Sequence, residues 1–186
     1  MPEKRRSFVA VVKAAERSLR TARIDHVFVG ALAVAAFGVP RTTADVDVIV
    51  DYREEDAPRL AESFLRNGFQ VSEEDLRDAR AEGAHCTVHD TRSEFRLDVA
   101  PAARTGAKDA IRHSVRVRWR NTTLPIADPE HTIVMKLVYG SDQDAEDALG
   151  IFVRQRGRLK TRRMREFASR HGVLRALREL ERKADE

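Results

Sequence analysis

Cysteine is almost absent: Cys86 is the single one in 186 residues. One thiol cannot close an internal disulfide, and a four-cysteine zinc site is excluded by the same count. The scarcity fits a reducing cytosol, so a cytoplasmic location is expected. Long hydrophobic runs are missing as well. No apolar stretch approaches the ~20 residues that span a bilayer, which argues against a membrane protein. The opening Met1-Pro2-Glu3-Lys4-Arg5-Arg6 has the basic look of a signal n-region. The apolar run behind it, from Phe8 to Val12, is broken by Lys13, too soon for a secretory core. Internal repeats and low-complexity segments are lacking too. Lysine is scarce beside arginine, 6 against 28.

What is present is a globular balance, with 42% hydrophobic and 34% charged residues. The length suits one ordinary domain or a core with a small appendage. The net charge of +4 is unevenly spread. Between Arg104 and Arg120 six basic residues face only Asp109, and between Arg154 and Arg178 ten face only Glu166. Such blocks attract phosphate-rich partners or simply form a solvated, arginine-rich surface. Arginine is the better of the two cations for bidentate phosphate contacts.

Hydrophobic spacing predicts a helix over 4–22, with Phe8, Val11, Val12, Ala15 and Leu19 on one face. A short strand follows at His26–Val29, then a buried helix at Ala31–Phe37 stopped by Gly38 and Pro40. Asp45–Val50 is a strand by its β-branched content. A helix is expected over 54–66 with Leu60, Phe64 and Leu65 inward, then a strand at 69–71 and a charged helix over 73–81. Cys86–His89 and Phe95–Val99 pair as neighbours across Asp90-Thr91-Arg92-Ser93. Val115–Trp119 alternates with period two, and Leu124-Pro125-Ile126 reads as a short edge piece. After Asp128-Pro129 the pattern is helical, with segments at 129–138, 142–153, 161–170 and 173–183. The expected organisation is a mixed α/β core over 1–127 and a helical domain over 128–186.

The chemistry starts with two carboxylates. Asp45 and Asp47 lie two apart on a strand otherwise made of Val and Ile, so both occupy one face. At about 5 Å and an effective dielectric near 20, they repel by roughly 3 kcal/mol. A bound divalent cation resolves this, because hard cations take carboxylate oxygens. A solvated acidic face, or pairing with arginine, resolves it too. Asp98, in Phe95-Arg96-Leu97-Asp98-Val99, shares a face with Arg96 and stands as a third acid on a neighbouring strand or as a salt-bridge partner of Arg96 or Arg92. Three carboxylates on one sheet face suit a pair of Mg²⁺ ions. Upstream, Val27-Phe28-Val29-Gly30-Ala31 is a strand, a glycine and a helix start, a junction that presents free N–H groups to phosphate. His85-Cys86-x-x-His89 lacks a fourth zinc ligand, and Cys86 reads as a small core residue. Trp119 and Tyr139 suit stacking on a base or ordinary packing.

Taken together, these pieces resemble the nucleotidyltransferase superfamily that includes DNA polymerase β. Its pattern is a hydrophobic residue, Gly, then Gly or Ser, a spacer, and Asp-hydrophobic-Asp. Here it reads Val29-Gly30-Ala31, thirteen residues, Asp45-Val46-Asp47. The chain is closer to the prokaryotic branch with the abortive-infection toxins. That likeness rests on Val29–Val34, on Pro40-Arg41-Thr42-Thr43-Ala44-Asp45-Val46-Asp47, and on Ile126-Ala127-Asp128-Pro129-Glu130 before Met135-Lys136-Leu137. A Lys-x₄-Ser step at Lys136 and Ser141 and an Asp-x-x-Asp step at Asp144 and Asp147 complete it.

The resemblance implies a nucleotidyltransferase-like mixed sheet flanked by helices, followed by a C-terminal helical bundle. It implies transfer of an NMP from an NTP to an acceptor hydroxyl, with pyrophosphate released. Asp45, Asp47 and Asp98 would bind Mg²⁺ or Mn²⁺, and Asp98 would activate the acceptor. Gly30 and Ala31 would face the triphosphate, Arg41 and Thr42 would line the mouth, and Lys136 with Ser141 would reach the phosphates. Asp144 and Asp147 would serve the acceptor side or assist catalysis. The arginine-rich tail favours RNA or tRNA as acceptor, with a small molecule or protein side chain as the other options. The branch adds a toxin role and a cognate antitoxin. Ala31 departs from the pattern: alanine keeps the backbone N–H but lacks a serine hydroxyl. The alternative is therefore a catalytically weakened nucleotide- or RNA-binding module with the same fold.

Overall fold

The computed structural model describes residues 5–103 and 105–185. Residues 1–4, with the basic start, and Arg104 of the first basic block lie outside the described residues. The chain forms two compact units. One takes the chain up to Val29 and then Thr43–Ile126; the other takes Gly30–Thr42 and the chain from Ala127 onward. A single boundary at residue 127 does not account for Gly30–Thr42, which belongs with the later helices.

The first unit is built on one seven-stranded mixed sheet. Its strands are β1 (Asp25–Phe28), β2 (Asp45–Asp51), β3 (Phe69–Gln70), β4 (Cys86–Asp90), β5 (Arg96–Pro101), β6 (Val115–Trp119) and β7 (Thr122–Ile126). Their order across the sheet is β3-β4-β5-β2-β1-β7-β6. The helices of this unit are α1 (Phe8–Thr21), α3 (Ala57–Arg66), α4 (Glu73–Glu82) and α5 (Thr105–Arg112), with a 3₁₀ turn at Glu54–Asp56. The mixed α/β architecture, a sheet flanked by helices, is the one expected.

Local chemistry explains these boundaries. The α1 helix begins at Phe8 because the Ser7 hydroxyl accepts from the Ala10 N–H. At α4, Ser72 and Asp75 form a reciprocal capping box, and Gly83 closes the helix at φ 66°. The β6–β7 hairpin turns on Arg120 and Asn121 with φ 45° and 64°, both left-handed, as a two-residue turn that follows strand twist requires.

Alternation sets the core. Val46, Val48 and Val50 on β2 and Leu97 and Val99 on β5 are essentially fully buried, while Asp45, Asp47 and Asp98 are half-buried. Tyr52 is also buried; its hydroxyl donates to the Leu76 carbonyl at 2.7 Å, and burial pushes its pKa up to about 12.

The second unit contains α2 (Gly30–Phe37), α6 (Pro129–Tyr139), α7 (Asp142–Arg154), α8 (Thr161–Arg170) and α9 (Leu174–Lys183). Val34, Ile133, Val134, Ala148, Ile151, Met164 and Leu177 form its core with no exposed surface. Asp128 caps α6 through the His131 N–H at 2.8 Å, Pro129 occupies its first turn, and Gly140 ends it at φ 70°.

Three expectations change, and one helix is new. Leu65 is 55% exposed rather than inward, because α3 turns its stripe through Leu60 and Phe64. Pro125 is not on an edge: β7 lies between β1 and β6, and β6 is the edge strand. Tyr139 is 71% exposed at the end of α6, so it is not core packing. Helix α5 falls in the basic block, where charge masks its periodicity. Among the described residues no helix is long and apolar enough to cross a membrane.

The N-terminal segment is tied down by a buried ion pair. Arg6 Nη1 donates to Asp90 Oδ1 at 2.6 Å and Nη2 to the Asn67 carbonyl at 2.7 Å, while Ser93 Oγ donates to Asp90 Oδ2 at 2.5 Å. Removing one partner of such a pair strands the other charge, so Asp90→Ala is expected to cost about 3–5 kcal/mol. Urea denaturation measures this, and a loss under about 1 kcal/mol would show the pair to be dispensable.

Candidate active site

The register of β2 and β5 decides where the acids stand. The two strands are parallel, with Asp45 opposite Arg96, Val46 opposite Leu97 and Asp47 directly opposite Asp98. Because paired residues share a face, Asp45, Asp47 and Asp98 all lie on one side of the sheet, away from the buried valines. The shared face of these three residues is therefore a property of the strand pairing itself.

Their partners differ. Asp45 is held by Arg96 through two contacts, Nε to Oδ1 at 3.0 Å and Nη2 to Oδ2 at 3.2 Å. Arg96 thus pairs with Asp45, not with Asp98. The Asp98 Oδ1 atom accepts from the hydroxyl of Thr87 at 2.9 Å, and Thr87 lies opposite Asp98 in the antiparallel register of β4. Thr87 is a site residue that sequence reasoning missed. The signal was partial: pairing β4 with β5 across a short turn puts Thr87 on the strand next to Asp98, but only the register sets the two side by side. Thr43 was missed too: its Oγ1 donates to the Asp45 carbonyl at 3.1 Å and accepts from the Asp45 N–H at 3.3 Å, fixing the start of β2.

Oxygen-only donors in this number suit a hard divalent cation. The side chains are not gathered around one: among the described residues, no group of three or more His, Cys, Asp or Glu is arranged to hold a metal ion. The guanidinium of Arg96 occupies the Asp45 carboxylate instead. Donor chemistry and strand register fit a cation; the Asp45 side chain fits it only once Arg96 lets go. His85, just before β4, and His89 on it are exposed, while Cys86 is buried and its thiol is pushed up to about 11 by burial. A cavity of about 700 Å³ opens between α4 and β4, lined by Asp75, Asp78, Glu82, His85, Thr87 and His89 among others. Thr87 therefore joins this cavity to Asp98.

The Gly30 residue opens α2 at φ 57°, the left-handed region that glycine adopts freely. Val29, just before it, donates its N–H to the Asp47 carbonyl at 3.0 Å. Ala31 is buried, and Thr42 is exposed.

The second unit holds another cluster. Lys136 is 7% exposed, and its Nζ lies 2.6 Å from Asp144 Oδ1 and 2.9 Å from Asp147 Oδ2. Arg41 Nε reaches the same Asp147 oxygen at 3.2 Å. Ser141 caps α7, donating to Asp144 Oδ2 at 2.6 Å and accepting from the Asp144 N–H at 3.1 Å. The sequence steps Lys-x₄-Ser and Asp-x-x-Asp are thus one charge network. Asp147 is buried and paired, not part of a solvated helix start.

No family model matches the chain, and no curated protein matches it. Solved structures do. The solution structure of the antibiotic-resistance factor ANT(2'')-Ia is 15% identical with a TM-score of 0.61, over 92% of this chain and 96% of that one. A crystal structure of ANT(2'')-Ia in complex with adenylyl-2''-tobramycin is 13% identical, also with a TM-score of 0.61, over 88% and 95%. An antigenic nucleotidyltransferase-like protein from Paracoccidioides brasiliensis is 20% identical at a TM-score of 0.49, over 77% and 72%. The likeness is one of fold.

The Lys136 network makes stability depend on pH. Burial alone would lower the Lys136 pKa, but the hydrogen bonds its ammonium donates to Asp144 and Asp147, with their negative charge, outweigh it and raise it. Burial alone would raise Asp144, and its bonds to Lys136 and Ser141 bring it below its ordinary value of 3.8. A carboxyl lowered on folding stabilises above that value and loses this contribution as pH falls through its folded pKa. The raised lysine stabilises below its ordinary 10.5 and loses that contribution as pH rises through its folded pKa. Urea midpoints are expected to drop on acidification below pH 3.8. In Lys136→Met, which removes the ammonium and leaves only Ser141 on Asp144 and Arg41 with Gln143 on Asp147, this acid limb flattens; an unchanged limb would show that the lysine pairing carries none of it.

Proposed function

We propose that the protein is a metal-dependent nucleotidyltransferase, moving an NMP from an NTP to an acceptor hydroxyl and releasing pyrophosphate. The observation that carries this reading is the register that sets Asp47 beside Asp98, with Asp45 two residues along on the same face. A nucleotidyltransferase-like fold supports it. So does adenylyl-2''-tobramycin in the similar ANT(2'')-Ia structure, since the name describes a nucleotidyl group on a hydroxylated molecule.

In this reading Asp45, Asp47 and Asp98 hold Mg²⁺ or Mn²⁺. Held by these residues, a divalent ion would supply charge neutralisation for the transferring phosphate and the leaving pyrophosphate. Asp98 is oriented by Thr87, which binds Oδ1 and leaves Oδ2 to take the acceptor proton. The acceptor oxygen bonds to the α-phosphorus, the α–β anhydride bond breaks, and pyrophosphate leaves with its electron pair. Gly30, Ala31, Arg41, Thr42, Lys136 and Ser141 are assigned to the nucleotide by the family resemblance. Asp144 and Asp147 hold the Lys136 ammonium in place. RNA or tRNA is the acceptor, and the abortive-infection branch extends the reading to a cytoplasmic toxin with a cognate antitoxin protein.

A second reading keeps the fold and drops the chemistry. Arg96 on the Asp45 carboxylate favours it, as does Ala31 where the pattern has Gly or Ser. The protein is then a nucleotide- or RNA-binding module. Calorimetry with Mg-NTP separates the two, since binding without turnover selects the module.

The purified protein with Mg²⁺ is expected to transfer label from an α-labelled NTP to cellular RNA, and Asp47→Ala is expected to abolish transfer. Wild type and variant behaving alike across all four NTPs would remove the catalytic reading. For the toxin role, expression should arrest growth and Asp45→Ala should relieve the arrest.

A further inference from the structure

From His113 to Ile126 the chain has no acidic residue, yet it carries Arg116, Arg118 and Arg120. All three are exposed. Among the described residues none of their side chains makes an ion pair or hydrogen bond. Elsewhere among the described residues exposed arginines divide: Arg156, Arg162 and Arg165 are tied up by Asp185, Glu166 and Glu181, while Arg154, Arg158, Arg175 and Arg178 are not. The β6–β7 ribbon is therefore a concentrated store of unneutralised charge on an edge strand.

Its orientation follows from register. Val48 pairs with Phe28, Phe28 with Ile126 and Ile126 with Val115, so these four share one face, buried at Val48, Phe28 and Ile126 and open at Val115 on the edge. One residue along, Arg116 pairs with Pro125 and Arg118 with Thr123, so Arg116 and Arg118 lie on the opposite face. That is the face of Asp45, Asp47 and Asp98. The β6 strand lies three strands from β2, a lateral separation of about 14 Å. The two strand arginines are about 7 Å apart along β6. That step is close to the separation of successive phosphates in an extended nucleic-acid strand, and Arg120 continues the charge at the hairpin tip.

We infer that the β6–β7 ribbon is a backbone-binding edge for single-stranded RNA, contacting phosphates through Arg116, Arg118 and Arg120 on the sheet face that carries the three acids. The inference deepens the proposed function in taking RNA as the partner, and it does not require catalysis. Spaced single charges read phosphates, not bases, so binding is expected to be sequence-tolerant and steeply salt-dependent.

The test is fluorescence anisotropy of the full chain with a labelled single-stranded RNA oligonucleotide, without NTP or metal, over a salt series. Arg116→Ala/Arg118→Ala/Arg120→Ala is expected to weaken binding at least about tenfold and to flatten the log K against log salt slope by about 2, as loss of three single-strand contacts requires. The lysine triple variant Arg116→Lys/Arg118→Lys/Arg120→Lys keeps the charge and should keep the slope, which separates a charge effect from a folding defect. Because binding is read without NTP or metal and transfer is read separately with both, loss of RNA binding and loss of transfer are distinguishable. The inference fails if wild type does not bind RNA or if the alanine variant binds equally well. It also fails if the loss appears instead in Arg158→Ala/Arg175→Ala/Arg178→Ala, or if the ribbon arginines govern binding to anionic lipid vesicles and not to RNA.

Discussion

Two parallel strands held in one register constrain everything else. A shift of β5 by a single residue against β2 would send Asp98 to the buried side and bring Leu97 into the open. The buried row of Val46, Val48, Leu97 and Val99 prevents that shift, because each side chain loses roughly 1.5–3 kcal/mol on exposure. The apolar face therefore fixes the polar one. Asp47 and Asp98 are neighbours because their chain neighbours are valine and leucine. The carboxylates themselves repel and contribute nothing favourable to this pairing.

Both clusters of acids are electrostatic problems, and they are solved differently. In the helical unit, Asp144 and Asp147 are matched by Lys136 and Arg41, and Ser141 closes the remaining valence on Asp144. That network is internally complete, which suits a rigid support. In the sheet unit, Asp45 has a half-exposed arginine and Asp98 has a neutral hydroxyl. A neutral donor orients a carboxylate without cancelling its charge, which a group handling protons or cations requires. The two solutions differ in kind: the carboxylates around Lys136 are matched by cations, while the acids of β2 and β5, to which the proposed function gives the chemistry, keep more of their charge.

Much of this was legible in the sequence because strands are read by parity. Asp45-Val46-Asp47 and Leu97-Asp98-Val99 each declare a buried and an open face, and the short turn after Asp90 pairs β4 with β5. Parity does not say which residue of one strand meets which of another, so Thr87 stayed hidden until the register was known. Helix α5 was hidden for another reason: basic residues surround its small apolar face of Gly106, Ala107 and Ala110. Leu65 misled because a hydrophobic side chain beside a helical stripe looks like part of it, and single exposed leucines are common. The membership of Gly30–Thr42 in the helical unit was not readable at all. The helix over 30–37 is apolar nearly all round, so its pattern names no partner.

The role of Arg96 follows from where it lies rather than from its type. It sits opposite Asp45 by register, and its fork is satisfied by both oxygens of that carboxylate. The pair is half-exposed, so water competes for each partner and the net stabilisation is small, about 0–1 kcal/mol. A divalent ion brings twice the charge to the same oxygens. On this scale Arg96 is a weak competitor: it relieves repulsion on Asp45, and under the proposed function it would yield that carboxylate to a cation. The alternation that keeps β2 folded around an acidic face thus also supplies a cheap, displaceable counter-charge, and the arginines of β6 extend positive charge across the same face of the sheet.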